Sequence, residues 1–308
     1  MNAIAKVFTF IGHSILEDIG IPVSLKNVLH THANSGSRFD GTPAKNISAH
    51  SVIQWERWSE GDVFSYPRRS KGELLGWGYH NSSYGSYTES VPELCDLVRC
   101  DVKNDWHCDI GDVDGFCSSK SNLRRFKSIA EMVMTDSEKL INPVCVELLE
   151  ENLCHRGIEI TRPNNTSDYF ACHSWDGRIF LMNTDGSHHF GAAQYLAAQL
   201  RRRIDVQGRL FYYYFNSVAV EQLLEKYNVF AFEFTSQGIN EFQEAMRRYR
   251  ANFLSTYLPL PFNHQKAILL PKSHFRSCKV AALLEEYGIF NLGNYFRSEA
   301  NNSKRMGY

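Results

Sequence analysis

The sequence predicts an α+β protein with mixed α/β layers. A turn-rich N-terminal part with short strands precedes a strand–helix layered domain. Three observations carry this reading. In the second half, short apolar runs alternate with helix-patterned stretches, from Leu210–Phe215 and Val218–Tyr227 onward. Residues 21–118 are punctuated by glycines such as Gly36, Gly41, Gly72, Gly76 and Gly115, the mark of turns between short strands. Over 308 residues, 43% are hydrophobic and 22% charged, which is the composition of a globular chain able to bury a core. The character changes at Ser118, so the expected division is 1–117 and 118–308.

Charge and hydropathy narrow the functional classes. Against 34 Asp and Glu stand 33 Lys and Arg, for a net charge of −1. That excludes a strongly basic scaffold built for bulk nucleic-acid binding. No apolar run reaches the ~18 residues of a membrane span, and Glu233 interrupts even the late run at Val229–Phe234. Met1–Gly20 has helically spaced apolar residues and no small-residue cleavage site after them. It reads as an amphipathic helix rather than a signal peptide, and the expected location is cytoplasmic. Eight cysteines in that compartment are expected to be reduced. Cys95, Cys100, His107, Cys108 and Cys117 cluster, but their spacing matches no common zinc pattern, so no metal site is assigned.

The elements follow in order. Ser51–Trp58 and Leu74–Tyr79 read as strands. The run at 76–87 alternates aromatic and small residues and reads as an irregular loop against the core. Ser118–Asn122 could cap a helix running through Val133, and a second helix follows Pro143 and stops near Gly157. Ile158–Arg162 reads as a strand. Tyr169–His173 and Arg178–Asn183 flank an Asp176-Gly177 turn, a hairpin signal. The apolar middle of the second run predicts burial on both faces. An Ala-rich helix follows from Phe190 to Leu200. Then come strands at Val229–Phe234 and Ala267–Leu270 and helices at Asn240–Leu254 and Lys279–Tyr287.

The segment Asp185-Gly186-Ser187-His188-His189 joins the hairpin to that Ala-rich helix. Gly186 permits a sharp turn or a close approach. The free N–H groups and dipole of a helix N-terminus favour an anion. Ser187 adds a hydroxyl, His188 and His189 add donors that can charge in weak acid, and Asp185 could cap the helix or hold a metal on a bound nucleotide. The simpler account is a turn, a capping serine and two surface histidines. The loop contains no Lys or Arg. Lys272–Arg276 forms a second strand–loop–helix site, and its Arg276 could supply a second cation.

The segment also resembles the nucleotide-binding motif of the ParB/sulfiredoxin-like superfamily. There a strand enters a Gly-x-x-His-Arg or Asp-Gly-x-His-Arg type loop and leaves through an Ala-rich helix. Gly186, Ser187, His188, His189, Phe190, Ala192 and Ala193 fall on that pattern. The approach is similar too, with Asn142-Pro143, a helix, Gly157 and Ile158–Thr161, so the resemblance spans about 142–200. His189 stands where the family has Arg. The resemblance implies binding of a nucleotide or of another phosphate-bearing ligand, and it names no single reaction; a nucleotide held there would bring Mg as the metal for Asp185. The competing expectation is a non-catalytic interaction or nucleic-acid-binding protein using the aromatic run 76–87 and the basic patches Arg124-Arg125 and Arg201-Arg202-Arg203. No G-x-S-x-G, P-loop or G-x-G-x-x-G pattern occurs.

Overall fold

The computed structural model describes residues 16–32, 39–60, 69–80, 82–161, 166–233 and 236–303. Helices and two five-stranded sheets make it a mixed α+β protein. The chain divides into two compact units, the first formed by 1–41, 54–97 and 215–308 and the second by 42–53 and 98–214. The division expected at residue 118 falls inside the second unit. The reason lies in the sheet: β4 (Val113–Phe116) pairs in parallel with β6 (Ile179–Met182), tying residues before 118 to residues after it.

In the first unit, the strand pairs β1–β2, β1–β9, β9–β10 and β10–β8 are all antiparallel. Its sheet runs β2–β1–β9–β10–β8, with β1 at Glu73–His80, β2 at Ser83–Ser90, β8 at Tyr227–Phe232, β9 at Phe253–Tyr257 and β10 at Lys266–Pro271. Helices α1 (Val23–His32), α6 (Ser236–Tyr249) and α7 (Phe275–Glu286) contribute Leu25, Leu29, Met246, Tyr249, Val280 and Leu284 to its core. A second aromatic cluster gathers Phe39, Trp55, Trp58, Phe215, Tyr295 and Phe296, with edge-to-face contacts such as Trp55–Phe296 at 4.9 Å.

Several expectations change. Ser51–Trp58 is not a strand. It forms two 3-10 turns, Ala49–Ser51 and Trp55–Glu60, and the i, i+3 spacing of Trp55 and Trp58 buries both indoles. The aromatic run at 76–87 is not an irregular loop but most of the β1–β2 hairpin, in which Tyr87 lies opposite Gly76. The helix expected to reach Leu254 ends at Tyr249. Arg250 takes φ 55°, and the chain continues into β9. The N-terminal helix expected within Met1–Gly20 lies almost wholly outside the described residues, of which only 16–18 are helical there.

The second unit is built on the sheet β3–β7–β5–β6–β4, with β3 at Val98–Asp109, β5 at Tyr169–His173 and β7 at Asp205–Phe215. The hairpin β5–β6 is antiparallel, while β5–β7 and β4–β6 are parallel. Phe180 and Leu181, adjacent in β6, are 0% and 2% exposed, so both faces of this strand are covered. Three helices complete the unit: α2 (Ile129–Asp136), α3 (Val146–Leu153) and α4 (Ser187–Gln199). Helix α4 packs on α2 and α3. At Gly191 a Cβ would meet the side chains of Val133 and Ile129 at 2.8 and 2.9 Å, so the missing side chain lets α2 come close. The helix expected from Ser118 is instead a short 3-10 turn at Leu123–Arg125, and α2 starts only where Ser128 accepts a hydrogen bond from the Glu131 N–H. The strand expected at Ile158–Arg162 is a 3-10 turn at Glu159–Thr161. Ile158 and Ile160 are buried in the core.

Candidate functional site

The Asp185–His189 segment lies between β6 and α4, as the sequence order requires, but its parts play different roles from those expected. Gly186 takes φ 76° and is itself the N-cap residue of α4. A Cβ there would sit 2.2 Å from the Gly157 carbonyl oxygen, so this glycine serves a backbone–backbone approach inside the protein. Asp185 does not cap the helix. Its carboxylate accepts the Gly186 N–H at 2.8 Å and its side chain is exposed. Buried Asn183 pins the loop by donating to the carbonyls of Ser118 and Asp185 at 2.9 and 2.8 Å.

Helix α4 begins at Ser187, three residues before the expected Phe190. Its first intrahelical pairing is Phe190 N–H to Gly186 C=O. The N–H groups of Ser187, His188 and His189 have no partner among the described residues. Ser187 does not cap the helix either. It is 3% exposed, and its hydroxyl has no hydrogen-bond partner among the described residues. The hydroxyl lines the cleft beside the three idle amides, and together they form a set of donors open to a ligand.

The histidines are held in defined protonation states by their neighbours. The amide nitrogen of Asn152 donates to the Leu140 and Leu148 carbonyls, leaving its oxygen to face His189 Nδ1 at 2.9 Å. His189 therefore carries its proton on Nδ1 and keeps Nε2 as an acceptor. The His155 ring stacks on His189 at 3.5 Å between centroids, and His155 Nδ1 accepts the Gly157 N–H. Burial lowers the pKa of His189, and the neighbouring His155 and His188 add to the shift. Burial likewise lowers His188; Asp136 opposes this and Lys120 adds to it. Both shifts favour the neutral imidazole and move the charging expected in weak acid to lower pH.

His188 sits inside a chain of hydrogen bonds. Ser121 donates its single hydroxyl proton to the Asp136 carboxylate. It can then only accept from His188 Nε2, which lies 3.2 Å away. The remaining ring nitrogen, Nδ1, accepts from the Ser137 hydroxyl. The order is Ser137, His188, Ser121, Asp136.

These groups line one cleft of about 840 Å³ within the second unit. Helix α4 supplies Ser187, His188 and His189; the C-terminal end of α2 supplies Thr135, Asp136 and Ser137; the turns after α2 and α3 supply Lys139, His155 and Arg156. Lys120, Lys139 and Arg156 are exposed and make no ion pair among the described residues. The structure thus brings Asp185, Gly186, Ser187, His188 and His189 to one site. It adds Lys120, Ser121, Asp136, Ser137, Asn152, His155 and Arg156, which sequence reasoning did not assign to it. No motif spacing links those seven, and only the packing of α2 and α3 on α4 collects them.

Other candidates lie elsewhere. Arg276 belongs to the first unit, and its guanidinium donates to the carbonyls of Glu17, Tyr249 and Asp18 at 3.2, 2.7 and 3.1 Å. Its donors hold its own unit together. The hairpin turn spans more than the two residues expected, so Cys172 pairs with Ile179 and His173 lies at the turn end, while Asp185 follows the other end. Among the described residues, no three His, Cys, Asp or Glu converge as metal ligands. All eight cysteines are free thiols. Of the aromatic run, Trp77 packs on the first unit's core and Tyr84 donates to the Ala251 carbonyl. No helix among the described residues is long and apolar enough to cross a membrane.

Fold and site together define a mixed α+β protein with a polar cleft at a helix N-terminus. The chain belongs to a family of unknown function (DUF6685), whose model matches residues 103–306 and so takes in the whole cleft. Searches of curated proteins and of solved structures found no match.

Proposed function

We propose that the second unit binds a phosphate-bearing small molecule, of which a nucleotide is the leading class, in the cleft at the N-terminus of α4. The observation that carries this reading is the vacant donor set. Three consecutive amides and the Ser187 hydroxyl, all without a partner among the described residues, line a cleft whose rim holds three cations that make no ion pair among those residues. Helix amides and dipole favour an anion there. Lys120, Lys139 and Arg156 supply the fixed positive charge that the loop itself lacks. His189 cannot take the place of an Arg, because its Nδ1 proton is committed to Asn152 and its Nε2 is an acceptor. The resemblance to the ParB/sulfiredoxin-like superfamily supports the same reading; for Mg on a bound nucleotide, exposed Asp136, Glu138 and Asp185 are the carboxylates at hand.

The test is a thermal-shift screen of inorganic phosphate and nucleotides, with and without Mg²⁺. A ligand at 100 times its Kd adds ~2.7 kcal/mol to stability, which raises the midpoint by several degrees. Arg156→Ala or Lys139→Ala is expected to weaken binding severalfold to tenfold, since each removes one rim charge without touching the core. Failure of every phosphate compound to shift the midpoint at millimolar concentration would count against the reading.

A further inference from the structure

The Ser137–His188–Ser121–Asp136 chain is more than is needed to bind an anion. Ser137 is 8% exposed, lines the cleft and donates to a neutral imidazole. On the far side of that ring, Nε2–H is held by Ser121, which is held in turn by a carboxylate. That is the order of a nucleophile, a base, and a group that orients the base and steadies its cation, with one serine inserted in the relay. The base belongs to the first turn of α4, so the Ser137 oxygen lies one hydrogen bond from the residue whose neighbours present the idle amides.

We propose that Ser137 is the catalytic nucleophile of a phosphate-monoester hydrolysis, with His188 as its general base and Ser121 and Asp136 as positioning residues. The proposal rests on the anion-binding reading of the cleft and gives it a substrate class. Ser137 Oγ attacks phosphorus as its proton passes to His188 Nδ1. The bond from phosphorus to the alcohol oxygen breaks, and that oxygen takes the proton from Nδ1. Water then attacks the phosphoserine and gives a proton to Nδ1. The Ser137 Oγ–phosphorus bond breaks, and Oγ regains that proton as inorganic phosphate leaves. The net change is ester and water to alcohol and phosphate. Charge gathering on the non-bridging oxygens faces the Ser187–His189 amides and the Ser187 hydroxyl. Asp136 stabilises the transient imidazolium through Ser121.

Two measurements on the full chain test this. The first needs no variant: wild type is treated with a fluorophosphonate probe, digested and analysed by mass spectrometry. Label is expected on the peptide containing Ser137. The second is turnover of p-nitrophenyl phosphate by wild type, Ser137→Ala and Ser121→Ala, with phosphate binding by each measured calorimetrically. Ser137→Ala is expected to lose turnover by ~10²–10⁴-fold while keeping phosphate binding. Ser121→Ala is expected to keep a slower reaction whose acid limb moves to lower pH, because the imidazolium loses its Nε2–H acceptor. Phosphate binding without label or turnover in wild type would overturn the proposal and leave the binding reading intact. Label and p-nitrophenyl acetate turnover without phosphate binding would overturn the phosphate class along with that reading.

Discussion

At His189, one of the expected phosphate donors, one ring nitrogen is held by the protein itself. Its Nδ1–H satisfies Asn152, which is 1% exposed. His189→Arg would strip that buried amide oxygen of its partner, and a buried unsatisfied acceptor costs about 1–3 kcal/mol. Denaturant unfolding should show that loss, where a simple cation-for-ligand exchange would leave stability unchanged. Gly186→Val should cost at least ~2 kcal/mol, since a side chain at φ 76° is strained and its Cβ would collide with the Gly157 carbonyl. An unchanged midpoint would mean that the two backbones are not in contact. The loop was legible because its residues are contiguous and follow a strand into a helix. Ser121, Ser137 and His155 were not, since a serine after a helix carries no signal until another helix brings a histidine to it.

Among the elements, those that bury one coherent face were readable in the sequence. Helix α4 is Ala-rich, and Ala193, Leu196 and Ala197 are 0%, 0% and 2% exposed. Ala193→Leu should overpack this interface by about 1–3 kcal/mol, measurable as a shift in the urea midpoint without a change in m-value. The β6 strand was readable for the same reason. Strand β3 was not, because eight of its twelve residues are exposed and VRCDVKNDWHCD shows no alternation of apolar residues. The stretch Glu159–Thr161 misled because apolar residues two apart, Ile158 and Ile160, suit a strand on periodicity, while the same two residues are buried from a 3-10 turn. Helix starts were shifted by caps: Ser128 and Gly186, rather than the first apolar residue, set where α2 and α4 begin.

For the whole molecule, sequence order hid the way the units interleave, since pairing of β4 with β6 is a long-range event that no local composition marks. Its stability should also depend on pH in a definite direction. His173 is 8% exposed, stacks on Tyr213 at 4.8 Å, and has a buried Nδ1 without a hydrogen-bond partner. Burial pushes its pKa down to about 4, with Asp176 opposing. The unfolded chain takes up this proton near pH 6.5 and the native chain does not, so stability falls as pH drops from about 6.5 to 4. This one site accounts for up to about 3 kcal/mol of that loss. His173→Phe should flatten that part of the stability curve, and an unaltered slope would assign the loss to other groups. The central claim, that α4 presents a vacant anion site, is tested most directly by titrating wild type and Ser187→Ala with a nucleotide or inorganic phosphate in a calorimeter. The account predicts saturable binding to wild type and a loss of about ten- to a hundredfold in Ser187→Ala, the worth of one hydrogen bond to a charged group. Equal affinity in the two proteins, or no heat of binding in wild type at millimolar phosphate ligand, would contradict it.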